Sequence, residues 1–160
     1  MGEQHQAYLS LGSNIRPAFY LPRAIEMLKQ YGQVTAVSSV WETLPVGSDG
    51  PNFLNACVCF VGKYSTPVEL KEKVIRPIEA TLGRVRGANK YAPRTIDLDI
   101  VLFDSEPINI PFWEYAFIVV PLAELLPETA HPTRTSTLRE VAQQMQIETW
   151  MQKRHWPNLS

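Results

Sequence analysis

Asp97 and Asp99 stand one residue apart in the apolar run Thr95-Ile96-Asp97-Leu98-Asp99-Ile100-Val101-Leu102. Pro93 blocks helix just before the run and biases Ala92 toward an extended form. From Thr95 the residues read as a strand. Ile96, Leu98, Ile100 and Leu102 share one face, and Asp97, Asp99, Val101 and Phe103 share the other. Two carboxylates on one strand face repel each other, and Asp is depleted in strands. A divalent metal offsets that cost, because Mg2+ prefers oxygen ligands and is often held by one or two carboxylates plus substrate phosphates. Arg84, Arg86, Lys90 and Arg94 lie just upstream. Cations beside such a metal suit a polyphosphate gripped through its oxygens. The competing reading is a solvated sheet face on which the aspartates simply pair with those arginines. No general base is evident nearby; a bound metal would lower a hydroxyl's pKa.

The elements that must position this pair follow from patterning. Ala7–Leu11 reads as a first strand, and Gly12-Ser13-Asn14 ends it with turn chemistry. Gly12 serves either a close approach of backbone to ligand or a plain turn. A helix over 17–31 carries the stripe Leu21, Ala24, Ile25 and Leu28, and Gly32 stops it. Val34–Trp41 reads as a second strand. Thr43–Pro51, with Pro45, Gly47, Gly50 and Pro51, has the composition of a loop or lid. Asn52–Val61 reads as a third strand with Phe53, Asn55, Cys57 and Cys59 on one face. Asn55 is an amide among apolar neighbours and must be satisfied by protein or by ligand.

Thr66-Pro67-Val68-Glu69 is a capping box with Pro at the first helical position. Its helix should reach Leu82 along Leu70, Val74, Ile78 and Leu82, with a kink at Pro77. Glu79 falls near the end of that helix, where the macrodipole disfavours an acid; the plain alternative is a solvated surface residue. After the basic loop 84–91 and the Asp strand, Asp104-Ser105-Glu106 reads as a turn. Pro107–Ile110 then reads as an edge strand, Phe117–Val120 as another strand, and Pro121–Leu126 as a short helix. Thr137-Leu138-Arg139-Glu140 caps a last helix to about Met145, and Trp150 and Trp156 sit in a tail expected to pack on the core. The order predicts an α+β fold with a ferredoxin-like β-α-β-β-α-β core, a mainly antiparallel sheet and a C-terminal appendage.

A chain of 160 residues with 45% apolar content and a net charge of −1 reads as one domain with no global basic field for nucleic acid. The polar start Met1–Gln6 lacks a signal-peptide core, and no apolar run reaches transmembrane length. A cytoplasmic protein is expected, without nucleic-acid or membrane partners. Cys57 and Cys59 are too few for a zinc site and poorly spaced for a disulfide, so they read as small buried hydrophobes. His131 reads as a structural loop residue. His5 and His155 fall in mobile ends and carry no hypothesis.

Tyr-Leu-Ser-Leu-Gly-Ser-Asn at 8–14, Phe-Leu-Asn-Ala at 53–56, Gly-Arg-Val-Arg at 83–86 and Pro-Arg-Thr-Ile-Asp-Leu-Asp-Ile at 93–100 recur together in one order. Together they resemble the 6-hydroxymethyl-7,8-dihydropterin pyrophosphokinases of folate biosynthesis, over residues 7–132, with 133–160 as C-terminal helix and tail. The resemblance implies that the pterin's hydroxymethyl oxygen attacks the β-phosphorus of ATP and AMP leaves. It implies two Mg2+ ions on Asp97 and Asp99, with Arg84 and Arg94 as catalytic phosphate grips. Glu79, Arg86, Lys90 and Tyr91 would join them on the ATP side, Tyr91 standing where the family usually has Trp. Thr43, Val46, Phe53, Asn55 and Phe117 would hold the pterin, the two phenylalanines sandwiching its ring. A monomer is expected, with the 43–51 and 83–92 loops closing over ATP.

The chain departs from the family pattern at Pro111-Phe112-Trp113-Glu114-Tyr115-Ala116-Phe117, which is shorter than usual and has neither His nor Arg. Gly87 also stands where a basic residue is common. The alternative function is therefore a catalytically weakened homologue that binds pterin or nucleotide. Another metal-dependent nucleotide enzyme fits the small chain poorly. An RNA-binding module is disfavoured by carboxylates on the sheet face.

Overall fold

A computed structural model describes residues 2–45, 49–84 and 95–156. Strand β1 (His5–Ser13) is followed by helix α1 (Pro17–Tyr31), whose bounds match the sequence reading, and then by β2 (Gln33–Val37), β3 (Val40–Thr43) and β4 (Phe53–Gly62). The expected single strand over 34–41 is thus two. Ser38 causes the step: its N–H donates to Cys57 O, while its hydroxyl accepts from Cys57 N–H. The side chain stands in for a ladder carbonyl, and the strand breaks without leaving the Cys57 amide unpaired.

One continuous helix comes next, built of α2 (Pro67–Leu70), a π turn (Lys71–Ile75) and α3 (Arg76–Thr81). The kink expected at Pro77 is this π turn. Arg76 N–H reaches back to Lys71 O, and the wider turn accommodates a proline that cannot donate. The capping box forms only in part. Thr66 accepts from Glu69 N–H, but the Glu69 carboxylate takes the amide of Ser65 instead of Thr66.

Strand β5 (Asp97–Phe103) starts two residues later than expected and pairs with β1. A bulge alters its faces: Tyr8 pairs Leu102 and Leu9 pairs Ile100, so Val101 is the extra residue. Beyond it the alternation flips, and Phe103 packs with Leu98 and Ile100 while Leu102 packs with Val101. Asp97 and Asp99 lie before the bulge and keep their shared face.

The remaining edge is short. β6 (Glu106–Pro107) is only two residues long, and a 3-10 turn (Ile110–Glu114) replaces the rest of the expected strand. Asn109 adopts a left-handed conformation there and donates from Nδ2 to Ile100 O. Residues 116–125 form a single helix, α4 (Ala116–Leu125), not a strand and a short helix. Phe-Ile-Val-Val favours a strand by composition, but a short apolar run cannot be assigned by periodicity. Here Ile118–Ala123 are all buried, and an all-round apolar helix is the solution. Helix α5 (Leu138–Glu148) has the expected reciprocal Thr137–Glu140 box. The tail adds an unexpected strand, β7 (Met151–Arg154), on β3. Trp156 packs into the core and donates to Ser38 O, whereas Trp150 stays exposed. His5 is no loose end either: it opens β1 and pairs with Asp104.

Seven strands form one antiparallel sheet in the order β6-β5-β1-β4-β3-β7, with β2 also on β4. The central order β5-β1-β4-β2/β3 is the expected ferredoxin-like arrangement. One face packs on α1 and the α2–α3 helix through Leu9, Leu11, Val58, Phe60, Leu98 and Ile100. The other packs on α4 and α5 through Trp41, Cys57, Val101 and Leu102. Both cysteines are buried thiols, as expected, and burial pushes Cys57 far above the ordinary thiol range.

Candidate active site

Register builds the site. Gly12 of β1 lies opposite Asn55 of β4 on one side and Asp97 of β5 on the other. Asn55 in turn lies opposite Trp41 of β3. Directly opposed residues share a face, so Asp97, Gly12, Asn55 and Trp41 form one row across four strands. The next row is Asp99, Ser10 and Cys57. Neighbouring strands are about 4.8 Å apart, so Asp97 and Asn55 stand roughly 10 Å apart with glycine between them.

Glycine leaves room there. A Cβ on Gly12 would lie 3.1 Å from Asn55 Oδ1 and 3.7 Å from the Phe53 ring. Asn55 is buried, and its Nδ2 donates to Thr43 Oγ1 at 2.8 Å and Trp41 O at 3.3 Å. Trp41 O can only accept, which fixes the orientation of the amide and turns Oδ1 toward Gly12. Asn55 therefore offers an acceptor; its donors are spent on the protein. Thr43 is buried beside it and, having accepted, keeps its own O–H to donate. Asn14 ties the end of β1 to the root of the next loop by donating to Pro51 O.

The other end of the row is charged. Arg84 Nη2 lies 3.5 Å from Asp97 Oδ1, and Arg84 Nε lies 4.0 Å from Glu79 Oε2. Glu79 is buried, not solvated, and accepts the amide of Leu98 at 3.0 Å. It binds the end of the α2–α3 helix to the strand that carries the aspartates. The reading in which the aspartates pair with arginine holds for Asp97 with Arg84. It does not exclude a metal role, because the Asp97 side chain keeps about a fifth of its surface exposed. No three His, Cys, Asp or Glu side chains gather as a closed metal centre among the described residues. Two carboxylates on one strand face fit Mg2+, which usually completes its shell with water and substrate phosphate.

A family model described as 7,8-dihydro-6-hydroxymethylpterin-pyrophosphokinase (HPPK) matches residues 8–127. The chain belongs to this family. It is 38% identical to the 2-amino-4-hydroxy-6-hydroxymethyldihydropteridine pyrophosphokinase of Bacillus subtilis, covering 92% of this chain and 91% of that one. It is 37% identical to the protein of the same name from Aquifex aeolicus, covering 83% and 88%. Among solved structures it resembles wild-type Plasmodium falciparum HPPK-DHPS with pterin and p-hydroxybenzoate. That match has a TM-score of 0.70 at 16% identity and covers 89% of this chain and 42% of the longer one. At that identity the likeness speaks for the fold. The family's reaction, an ATP-dependent pyrophosphoryl transfer in folate biosynthesis, is this chain's class of chemistry, and none of these matches supports a catalytically weakened homologue.

Of the residues singled out from sequence, Glu79, Arg84 and Asp97 come together at one end of the row, with Asp99 in the next row, and Thr43, Phe53 and Asn55 at the other end. Phe117 lies in the first turn of α4, stacked on Tyr115 with ring centroids 5.1 Å apart. Val46, Arg86, Lys90, Tyr91 and Arg94 lie outside the described residues, as do Gly87 and most of the 83–92 loop. His131 is structural, as read: it is buried, Thr133 N–H donates to Nδ1, and Nε2–H donates to Trp113 O. That bond also anchors the atypical 111–117 segment, whose Trp113 is fully buried and donates to Ile108 O. Sequence reasoning left Gly12 undecided and passed over Trp41 and Ser10. Period-two counting from Asn55 and Asp97 could have aligned them, had the strand pairing been known.

Proposed function

We propose that this chain transfers the pyrophosphoryl group of ATP to the hydroxymethyl group of 6-hydroxymethyl-7,8-dihydropterin, giving AMP and the pterin diphosphate. One observation carries the reading: a single row holds a carboxylate paired with arginine, then a glycine gap, then a fixed amide acceptor. The pterin binds over Gly12 and Phe53, where Asn55 Oδ1 accepts from its amino and ring N–H groups and Thr43 O–H donates. Phe53 and Phe117 flank the flat ring, and Val46 borders it from the loop. The triphosphate binds toward Asp97 and Asp99.

Asp97 and Asp99 would hold Mg2+, two ions in this reading, which would supply Lewis-acid charge neutralisation to the phosphates. Arg84 exchanges Asp97 for a phosphate oxygen, and Glu79 orients Arg84 from behind. Arg94, Arg86, Lys90 and Tyr91 complete the nucleotide side. The hydroxymethyl oxygen gives up its proton to solvent and forms a bond to the β-phosphorus, the bond from that phosphorus to the bridging α,β-oxygen breaks, and AMP departs with that oxygen and its electron pair. Catalysis here is alignment and charge stabilisation. A monomer suits the charged outer strand β7, whose Lys153 and Arg154 discourage edge pairing. A cytoplasmic site of action goes with ATP as co-substrate.

The test is AMP production from Mg-ATP and the pterin, beside Asp97→Ala and Asp99→Ala. Turnover in the parent with a fall of about 10²–10³-fold in each variant is expected. A parent that binds pterin but forms no AMP overturns the reading.

A further inference from the structure

Two buried side-chain polar atoms among the described residues have no hydrogen-bond partner: Arg84 Nε and Thr95 Oγ1. Both belong to residues that flank Asp97. Arg84 reaches Asp97 through Nη2, which leaves Nε with only the Glu79 carboxylate 4.0 Å away. Thr95 lies two residues before Asp97. Between them Ile96 is fully buried in the layer under α1 and α3, with Leu98. Burial alternates from Thr95 to Ile100, half-buried then buried, so Thr95 falls on the side of Asp97 and Asp99 although β5 begins only at Asp97.

Buried polar atoms are paired in the great majority of cases, and each exception needs a reason. An arginine Nε–H can only donate, so its missing partner is an acceptor. The threonine hydroxyl, two residues before the same carboxylate, has a proton to donate too. Two unmade donors around one partly exposed aspartate describe a place prepared for an acceptor-only group that arrives from outside. A carboxylate ligand would meet Asp97, Asp99 and Glu79 without a metal to offset the repulsion. Phosphoryl oxygens that share Mg2+ with the aspartates would not.

We infer that Thr95 Oγ1 and Arg84 Nε form a donor pair for a phosphoryl oxygen of the nucleotide, and that Thr95 is a phosphate-binding residue of this enzyme. The inference rests on the pyrophosphokinase reading above. It assigns a specific bond to a residue next to the metal pair, and it predicts opposite signs for two quantities. Removing the hydroxyl should relieve the free protein of an unpaired group, while the nucleotide complex loses a hydrogen bond.

The experiment compares Thr95→Val, which keeps shape, with Thr95→Ser, which keeps the hydroxyl. Thermal unfolding of the ligand-free proteins is measured first, then calorimetric binding of α,β-methylene ATP with Mg2+, and of the pterin alone. Thr95→Val should melt at or above the parent temperature and bind the nucleotide analogue about 10-fold more weakly, the usual size for a bond to a charged group. Its pterin affinity should equal the parent's, and Thr95→Ser should recover nucleotide affinity. A Thr95→Val protein that melts lower yet binds nucleotide like the parent overturns the inference, because the hydroxyl is then structural. If Thr95→Val does not fold, Thr95→Ser decides against Thr95→Ala. A parent that binds no nucleotide overturns the pyrophosphokinase reading itself.

Discussion

The sheet face that carries Asp97 is two different surfaces end to end. At one end Cys57, Val101 and Leu102 lie beneath α4 and α5, in a layer with Trp113, Val119 and Leu122. At the other end Gly12, Asn55, Thr43, Asp97 and Asp99 occupy the same strands, and the half-buried Phe53 joins neither apolar layer. Residues at the covered end are interchangeable by volume, since burial and packing are what they contribute. Residues at the polar end are fixed by a partner each: Asn55 by Trp41 O and Thr43, Glu79 by the Leu98 amide, Asp97 by Arg84. Stability should therefore reside at one end and substrate discrimination at the other.

Trp113→Ala tests the covered end and should have the largest effect. The indole is fully buried among α4 and α5 side chains, its N–H is bonded to Ile108 O, and the His131 ring meets it edge-on at 5.7 Å. Truncation should cost about 3–5 kcal/mol of unfolding free energy. Measured below its melting transition, the folded enzyme should keep the parent KM for ATP and pterin. Loss of ATP affinity with little loss of stability would blur the two ends and make segment 111–117 part of the nucleotide site.

Gly12→Ala does the reverse at the polar end. The new Cβ would sit 3.1 Å from Asn55 Oδ1, so the amide must yield by a few tenths of an ångström or lose its alignment. Local overpacking of this kind costs about 1 kcal/mol. Titration should show pterin binding weakened by about 10-fold, with nucleotide binding unchanged. If both affinities fall together, the row is not divided as drawn.

What could be read in advance follows the same division. The Asp-x-Asp strand, α1 with its Gly32 stop and the Thr137 box were legible because each is a local pattern with one physical solution. The run 117–120 was not: Phe-Ile-Val-Val carries strand propensity, and only burial between sheet and α5 makes it helix. The bulge at Val101 and the break at Ser38 depend on partners more than ninety residues away by chain on β1 and nineteen away on β4. At the site, Asn55 and the aspartates announced themselves as polar groups in apolar runs. Thr95 did not, because a threonine at a strand start is unremarkable until its hydroxyl is found without a partner. Gly12 stayed open between a close approach and a plain turn, because the Asn55 oxygen it makes room for arrives from a strand some forty residues on.

The smallest effect belongs to a pair at the far end of β1 and β5, and it serves as a control for both surfaces. His5 Nδ1 bonds Asp104 Oδ2, and Gln6 N–H donates to Asp104 Oδ1 at 3.0 Å, closing the end of the β1–β5 ladder. The Asp104 hydrogen bond, with added pull from Glu3 and Glu69, holds His5 above its ordinary value of 6.5; the His5 bond, then the Gln6 amide, hold Asp104 below 3.8. For His5 the folded value is the higher one, so its contribution is complete below the unfolded pKa and fades as pH rises through the folded pKa. For Asp104 the folded value is the lower one, so its contribution stands above the unfolded pKa and fades as pH falls through the folded pKa. The pair thus stabilises best between about pH 4 and 6.5 and weakens as pH rises through the raised His5 value. Both groups are at the surface, so the gain is small and screened by salt. Melting temperatures of the parent and His5→Gln should differ most near pH 5–6 and converge as pH rises through the raised His5 value, while kcat shows no matching step. A kcat profile that follows His5 would mean that the far end of these strands is coupled to the aspartates, and the division of the face into independent ends would fail.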